Sequence, residues 1–392
     1  MNLAHRLGQL GESATLAVSR KAKELAARGV EVVDLSAGEP DFDSPAVAVE
    51  AVRRALAEGK TRYTAAAGLP ELRAELARRY GAERGAPWTA DQVVVTVGAK
   101  AALMELALAL VGDGDEVVVP TPYWVSIPAQ IRLAGGRPVD VPCSARDAFR
   151  LRAEPVLAAL TPRTRGVILN SPCNPTGGVL GADDLETVVA ACAERGVWVV
   201  SDETYERFVF DGEGHASVAA VAARYPDTVI LVGSFSKTYA MTGWRLGYLL
   251  GPPPVVKAVT AIQSHATSNP TTFAMYGALA AMRDAEGGVV AMIREFEHRR
   301  DLVAAALDAM PGVQCRPPAG AFYAFPRVAD LYADGCRGSV EMASLLLEKA
   351  RVAVVPGIAF GNDDHLRISF ACSRERLDEG LSRIGEAFAA MG

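Results

Sequence analysis

The chain has 392 residues, half of them hydrophobic and 22% charged, with 40 Lys and Arg against 46 Asp and Glu for a formal charge of −6. This excludes a disordered chain, which needs low hydrophobicity and high net charge, and gives no global electrostatic reason to bind nucleic acid. No apolar run reaches the roughly 18 residues that cross a membrane, and Met1–Leu10 lacks the basic-then-apolar pattern of a secretory leader. Six cysteines (143, 173, 192, 315, 336 and 372) are scattered with no C-x-x-C pair, so a reducing cytoplasm and no disulfides are expected. The five histidines show no metal-binding spacing, and no metal is expected.

From about residue 90 the pattern alternates. Gln92–Val97 reads as a strand and Ala101–Val111 as a helix. Glu116–Val119 is a strand, Val125–Leu133 a helix and Arg137–Val141 a strand. Gly166–Asn170 is a strand, Asp183–Arg195 an amphipathic helix, and Val197–Ser201 and Thr228–Val232 are continuous apolar strands. Strands without polar alternation are covered on both faces, which predicts an α/β fold with a mainly parallel sheet flanked by helices. Pro252-Pro253-Pro254 predicts a turn into a helix, because proline suits the first helical position. Helical stretches then run to about Ala309. Short strands follow near Val313–Cys315 and Ala321–Ala324, a helix at Val340–Ala350, a strand at Leu366–Phe370 and a last helix at Arg374–Ala390. That change of texture predicts a smaller α+β domain made from both chain ends. The division expected is 46–285 for the large domain, and 1–45 with 286–392 for the small one.

In an open α/β sheet, sites form beyond the carboxyl ends of the strands. After the first strand, Gly98-Ala99-Lys100 opens a helix, which reads as a tight turn or as an anion site made of backbone N–H groups. After Asn170 comes Ser171-Pro172-Cys173-Asn174-Pro175-Thr176-Gly177-Gly178, a restrained loop in which Asn174 is a candidate hydrogen-bond donor and cis prolyl bonds are plausible. After Ser201 comes Asp202-Glu203-Thr204-Tyr205. A carboxylate at a buried strand end needs a cation, either an arginine or a protonated heterocycle. Tyr205 can face the same volume. After Gly233 come Ser234, Ser236, Lys237 and Arg245, a set that suits a phosphate together with an amine nucleophile.

These segments resemble the fold-type I pyridoxal-phosphate enzymes, specifically the class I aminotransferases. The similarity rests on S-x-S-K-T-x-x-M-T-G-W-R-x-G-Y around Lys237, N-P-T-G at Asn174 and D-E-x-Y at Asp202. It extends from Ser13-Ala14-Thr15 and Ala37-Gly38-Glu39-Pro40-Asp41-Phe42 to His365-Leu366-Arg367-Ile368-Ser369, nearly the whole chain. The bacterial aspartate aminotransferases of the shorter subgroup are the group it most resembles.

The resemblance implies pyridoxal 5′-phosphate as cofactor and a ping-pong transfer of an amino group between an amino acid, aspartate or glutamate, and a 2-keto acid. It implies Lys237 as the Schiff-base lysine and proton shuttle, and Asp202 as partner of the pyridine N–H⁺. Tyr205 and Asn174 are implied at the phenolate oxygen, and Trp124 stacked on the ring. The phosphate falls to Ser234, Ser236, Arg245 and the turn Gly98, Ala99, Lys100. The substrate α-carboxylate falls to Arg367, with Gly38 and Asn174 beside it, and a distal carboxylate to Thr15 and Lys100. Tyr63 matches the tyrosine that reaches the phosphate of a neighbouring subunit, which implies a homodimer with shared sites. One departure stands out: Gly11-Glu12 occupies a place where that subgroup often has a basic residue, and an acid there weakens recognition of a second carboxylate. The same cofactor residues would also serve a lyase, an oxidase or a carbon–carbon bond-forming enzyme. A ligand-sensing regulator on this fold would carry an added DNA-binding module, which is not expected here.

Overall fold

The structure, a computed structural model, describes residue 8 and residues 14–333 and 336–391. Its centre is a seven-stranded sheet. In chain order the strands are β1 (Val93–Thr96), β2 (Glu116–Thr121), β3 (Arg137–Pro142), β4 (Thr164–Asn170), β5 (Trp198–Asp202), β6 (Val229–Ser234) and β7 (Gly247–Leu250). Their order across the sheet is β1-β7-β6-β5-β4-β2-β3. The neighbours from β6 through β3 pair in parallel, and β7 runs antiparallel to both β6 and β1. The carboxyl ends of β1, β4, β5 and β6 therefore lie along one edge of the sheet.

The unbroken apolar strands have a simple cause. Successive side chains on a strand point to opposite faces, and here each face has its own core. Val93, Val95, Val167, Leu169, Val199, Val229 and Leu231 enter one core. Val94, Ile168, Val200, Ile230 and Val232 enter the other. Both faces of the central strands are covered in this way, whereas the edge strand β3 keeps Arg137, Asp140 and Pro142 exposed.

A third core joins Val33 and Leu35 to Phe296, Phe322, Leu366, Ile368, Leu377 and Ile384. The helix Glu286–Asp308 places Val289 in the first core, and Met292 and Phe296 in this third one. Tyr205, Phe208 and Phe210, just beyond β5, also pack into the third core. Beside it a small antiparallel sheet sets Leu366–Ser369 between Val355–Pro356 and Tyr323–Ala324.

Strand–helix alternation does not anticipate β7, because no long helix precedes it. Its link from β6 carries only the short helix Phe235–Thr238 and the turn Thr242–Trp244. Such a link is too short for a crossover and returns the chain antiparallel. The strand expected at Val313–Cys315 reduces to a single bridge between Gln314 and Arg327. Pro317 and Pro318, which follow, have no N–H to extend the ladder. The helix expected at Val340–Ala350 is α-helical over Ser339–Leu345 and continues as a π-helical turn over Leu346–Ala350. The proline run behaves as expected, with Pro253 opening the helix Pro253–Ala266. Among the described residues no helix is long and apolar enough to cross a membrane, and all six cysteines are free thiols.

Candidate active site

A cavity of about 230 Å³ opens along the carboxyl edge of the sheet, between it and the strand that carries Arg367. Lys237, Asp202, Tyr205, Asn174, Ala99, Lys100, Trp124, Ser234, Ser236, Arg245, Gly38 and Arg367 all line it.

One end is built for an anion. Gly98 itself does not line the cavity, but its backbone sets the turn from β1 into the helix Ala99–Leu110. Its φ is +79°, and a Cβ there would lie 2.5 Å from the Arg245 guanidinium. Glycine is thus required twice over, for the left-handed backbone and for the close approach of the arginine. The helix start presents unpaired N–H groups beside Arg245. Arg245 Nη1 donates to the Thr242 carbonyl at 2.8 Å, which fixes the guanidinium. Ser234 Oγ accepts from the Ser236 N–H at 3.0 Å, capping the short helix Phe235–Thr238.

At the middle stands a buried acid. Asp202, the last residue of β5, is 4% exposed and accepts from the Thr204 N–H at 3.2 Å. Among the described residues no arginine or lysine is paired with it, so the buried-arginine partner left open by the sequence is not there. Burial pushes its carboxyl up to about 6, the Thr204 hydrogen bonds hold it back, and the neighbouring Glu203 charge adds to the rise. Glu203 is itself satisfied by His215 Nε2 and the Val218 N–H, both at 2.9 Å.

Lys237 faces this acid across the cavity. Its amine donates to the Gly38 carbonyl. Burial pulls the amine down to about 8 against the pull of Glu39, with Arg367, Arg245 and Lys100 helping to lower it. Lys100 is also lowered, by burial first and then by Arg245, and its Nζ lies 4.9 Å from the Trp124 ring centroid.

Arg367, 2% exposed, closes the other end. Nη1 donates to Asn174 Oδ1 at 3.0 Å and Nη2 to the Ser36 carbonyl at 2.7 Å. With its oxygen engaged by Arg367, Asn174 keeps its amide N–H₂ as the donor. Its loop contains cis bonds at Ser171-Pro172 and Asn174-Pro175, and a third at Thr121-Pro122 leads into Trp124. The Arg367 Nε is buried without a partner, and among the described residues the guanidinium forms no ion pair with a carboxylate. An open buried donor on an unneutralised cation is a site for an anionic group.

One expected residue lies elsewhere. Tyr63 is 88% exposed and borders a separate groove with Asn269 and Phe273. Thr15 falls in the helix Ala14–Ala27, and Glu12 and Ser13 lie outside the described residues. The cavity also contains Tyr323, Asn170, Thr204, Val125 and Thr242, which sequence reasoning missed. Asn170 and Thr204 were findable, since they flank strand ends already singled out. Tyr323 carried no such signal, because its strand belongs to the small sheet.

The sequence family described as aminotransferase class I and II matches residues 30–384. The aspartate aminotransferase of Geobacillus stearothermophilus is 43% identical over 98% of both chains. A probable aspartate/prephenate aminotransferase of Aquifex aeolicus is 44% identical, again over 98% of both. Among solved structures, the aspartate aminotransferase from Thermus thermophilus with maleate superposes with a TM-score of 0.94 at 41% identity, covering 99% of this chain and all of that one. The fold, the cavity and this likeness over the full length agree, and the chain belongs to the class I and II aminotransferases.

Proposed function

We propose that the protein is a pyridoxal-phosphate-dependent aminotransferase of the aspartate type, moving an amino group between aspartate or glutamate and a 2-keto acid in ping-pong fashion. One observation carries this reading. Lys237, its amine bonded to the Gly38 carbonyl, and the buried Asp202 carboxylate, which has no cationic partner among the described residues, line one cavity.

The residues fit pyridoxal 5′-phosphate. Asp202 lacks the positive partner that a protonated ring nitrogen provides. The Ala99 and Lys100 N–H groups, Arg245, Ser234 and Ser236 suit the phosphate. Lys237 suits the aldehyde, Tyr205 and Asn174 the phenolic oxygen, and Trp124 the ring face. When bound, the cofactor supplies the electron sink for cleavage at the substrate Cα.

The chain's own residues do the rest. Arg367 takes the α-carboxylate through its open Nε and orients Cα toward Lys237. Lys237 removes the Cα proton and returns it on the other side of the transfer, and an amine near 8 is suited to a base at neutral pH. Asp202 keeps its partner proton in place through burial rather than exchange with water. Lys100 supplies the second cation for a side-chain carboxylate, and the family likeness assigns Thr15 to the same group.

The same reading takes 46–285 as the cofactor domain, and 1–45 with 286–392 as the smaller one, in a cytoplasmic homodimer. Tyr63, too exposed to serve its own cavity, is supplied to the phosphate end of the other subunit. Lyase, oxidase and carbon–carbon bond-forming activities would use the same contacts, and the names of the relatives favour transamination.

The test is a half-reaction. Cofactor-loaded protein is mixed with aspartate and no keto acid. Transamination releases one oxaloacetate per site and stops, with the visible absorption shifting to that of the amine form. Continuous product formation without an acceptor, or no release at all, would overturn the reading.

A further inference from the structure

Tyr323 lines the cavity without a role in the chemistry above. It lies directly across the antiparallel ladder from Ser369, on the strand beside the one that carries Arg367. Its side chain is 1% exposed. Its hydroxyl lies 2.8 Å from the Tyr205 hydroxyl. The Arg367 guanidinium lies over its ring, with the guanidinium carbon 4.4 Å from the ring centroid. The same hydroxyl stands 3.2 Å from the place a Cβ on Gly38 would occupy, so it also backs the segment that accepts from Lys237.

Each phenol has one proton, and buried hydroxyls are costly unless bonded. Among the described residues Tyr205 is the only hydrogen-bond partner of the Tyr323 hydroxyl. One of the two must therefore donate to the other. If Tyr205 donated to Tyr323, it would have no proton left for the cavity. The guanidinium over the Tyr323 ring decides the direction. A cation on the ring face draws electron density from the phenol and makes it the stronger donor.

We propose that Tyr323 is a positioning residue of this site: its hydroxyl donates to Tyr205, which directs the Tyr205 proton into the cavity, and its ring fixes the plane of the Arg367 guanidinium. The inference rests on the function proposed above. It joins the cation that receives the α-carboxylate to the hydroxyl that faces the cofactor oxygen through one side chain.

The sign of the effect follows from electrostatics. With the cofactor bound, its phenolic oxygen would share a proton with the nitrogen supplied by Lys237. A hydrogen bond from Tyr205 draws charge from that oxygen, so the nitrogen loses its proton at lower pH. A Tyr205 not polarised by Tyr323 donates less well, and the midpoint rises.

The experiment is a pH titration of the visible absorption of the cofactor-loaded enzyme without substrate. Tyr323→Phe should raise the midpoint by about half a unit, and Tyr205→Phe by more. The double variant should titrate as Tyr205→Phe alone, because the effect of Tyr323 passes through Tyr205. A midpoint unchanged in Tyr323→Phe, or shifts that add in the double variant, would overturn the proposal. The ring is tested separately by the split between KM and kcat for aspartate. Tyr323→Phe should leave KM within about twofold, and Tyr323→Leu should raise it about tenfold. An unchanged KM in Tyr323→Leu would remove the ring from the account. A parent that binds no cofactor would sink the functional reading itself, whereas a parent that titrates beside an unresponsive Tyr323→Phe sinks only this inference.

Discussion

The Lys100 amine lies 4.9 Å from the centre of the Trp124 ring. Lys100 sits in the first turn of the helix Ala99–Leu110, an exposed residue whose amine borders the cavity. The ring face holds it at the cavity, where burial lowers its proton affinity.

That placement sets the expected substrate preference. Lys100→Ala should lose about ten- to a hundredfold in kcat/KM for aspartate, the cost of one charge-assisted hydrogen bond. Neutral amino acids should change little, since they place no charge there. Parallel assays with aspartate and alanine decide it. Equal losses on both would remove Lys100 from side-chain recognition.

Asp202→Asn should move activity and stability in opposite directions. Removing one member of a buried charge pair costs about 3–5 kcal/mol, or about 10²–10⁴ in rate if felt wholly in the transition state. Without cofactor the carboxylate has no cation and its folded value is raised to about 6. The folded chain then binds a proton more tightly than the unfolded one, so stability falls as pH rises from about 4 through 6. Asparagine removes that loss. Thermal unfolding of the cofactor-free variant above pH 6 should therefore occur at higher temperature than for the parent, and equal melting would contradict it.

Lys237 should react with aldehydes in its neutral form only. In the cofactor-free chain the rate of cofactor capture should rise with pH, with a midpoint near 8, and level off above it. Stopped-flow absorbance gives that profile. Borohydride should then fix the label on Lys237, as read by peptide mass spectrometry, and Lys237→Ala should stay folded but unlabelled. A label on another lysine would refute the assignment.

On the proposed reading Tyr63, 88% exposed, acts through a second copy of the chain. Sedimentation equilibrium should give a two-fold dimer at concentrations where the enzyme is active. Tyr63→Phe should weaken cofactor binding about tenfold or more, as expected for losing a hydrogen bond to a charged phosphate. A fully active monomer would rule out a shared site.

Much of this architecture was legible in the amino-acid sequence because its signals are local. Gln92–Val97 and Thr228–Val232 read as strands covered on both faces from their unbroken apolar runs alone. Gly98, Asn174, Asp202 and Lys237 each stand a few residues past such a run, so a strand end and its chemistry appear in one stretch of chain. The strand β7 was not legible, because its signal is a short return with no long helix before it. The strand proposed at Val313–Cys315 failed because apolar character there reflects burial in the third core rather than pairing.

What the tertiary structure decided is whatever depends on distance between segments far apart in the chain. The sequence leaves the partner of Asp202 open, and only the packed molecule shows that no arginine among the described residues pairs with it. The sequence places Arg367 on a strand, and only the fold brings it to Asn174, 193 positions away, and over Tyr323. Tyr323 itself reads as one more apolar-strand residue. Its contact with Tyr205 exists because the small sheet packs against the end of β5, and such non-local packing is set by the shape of the whole core, which no short run of residues encodes.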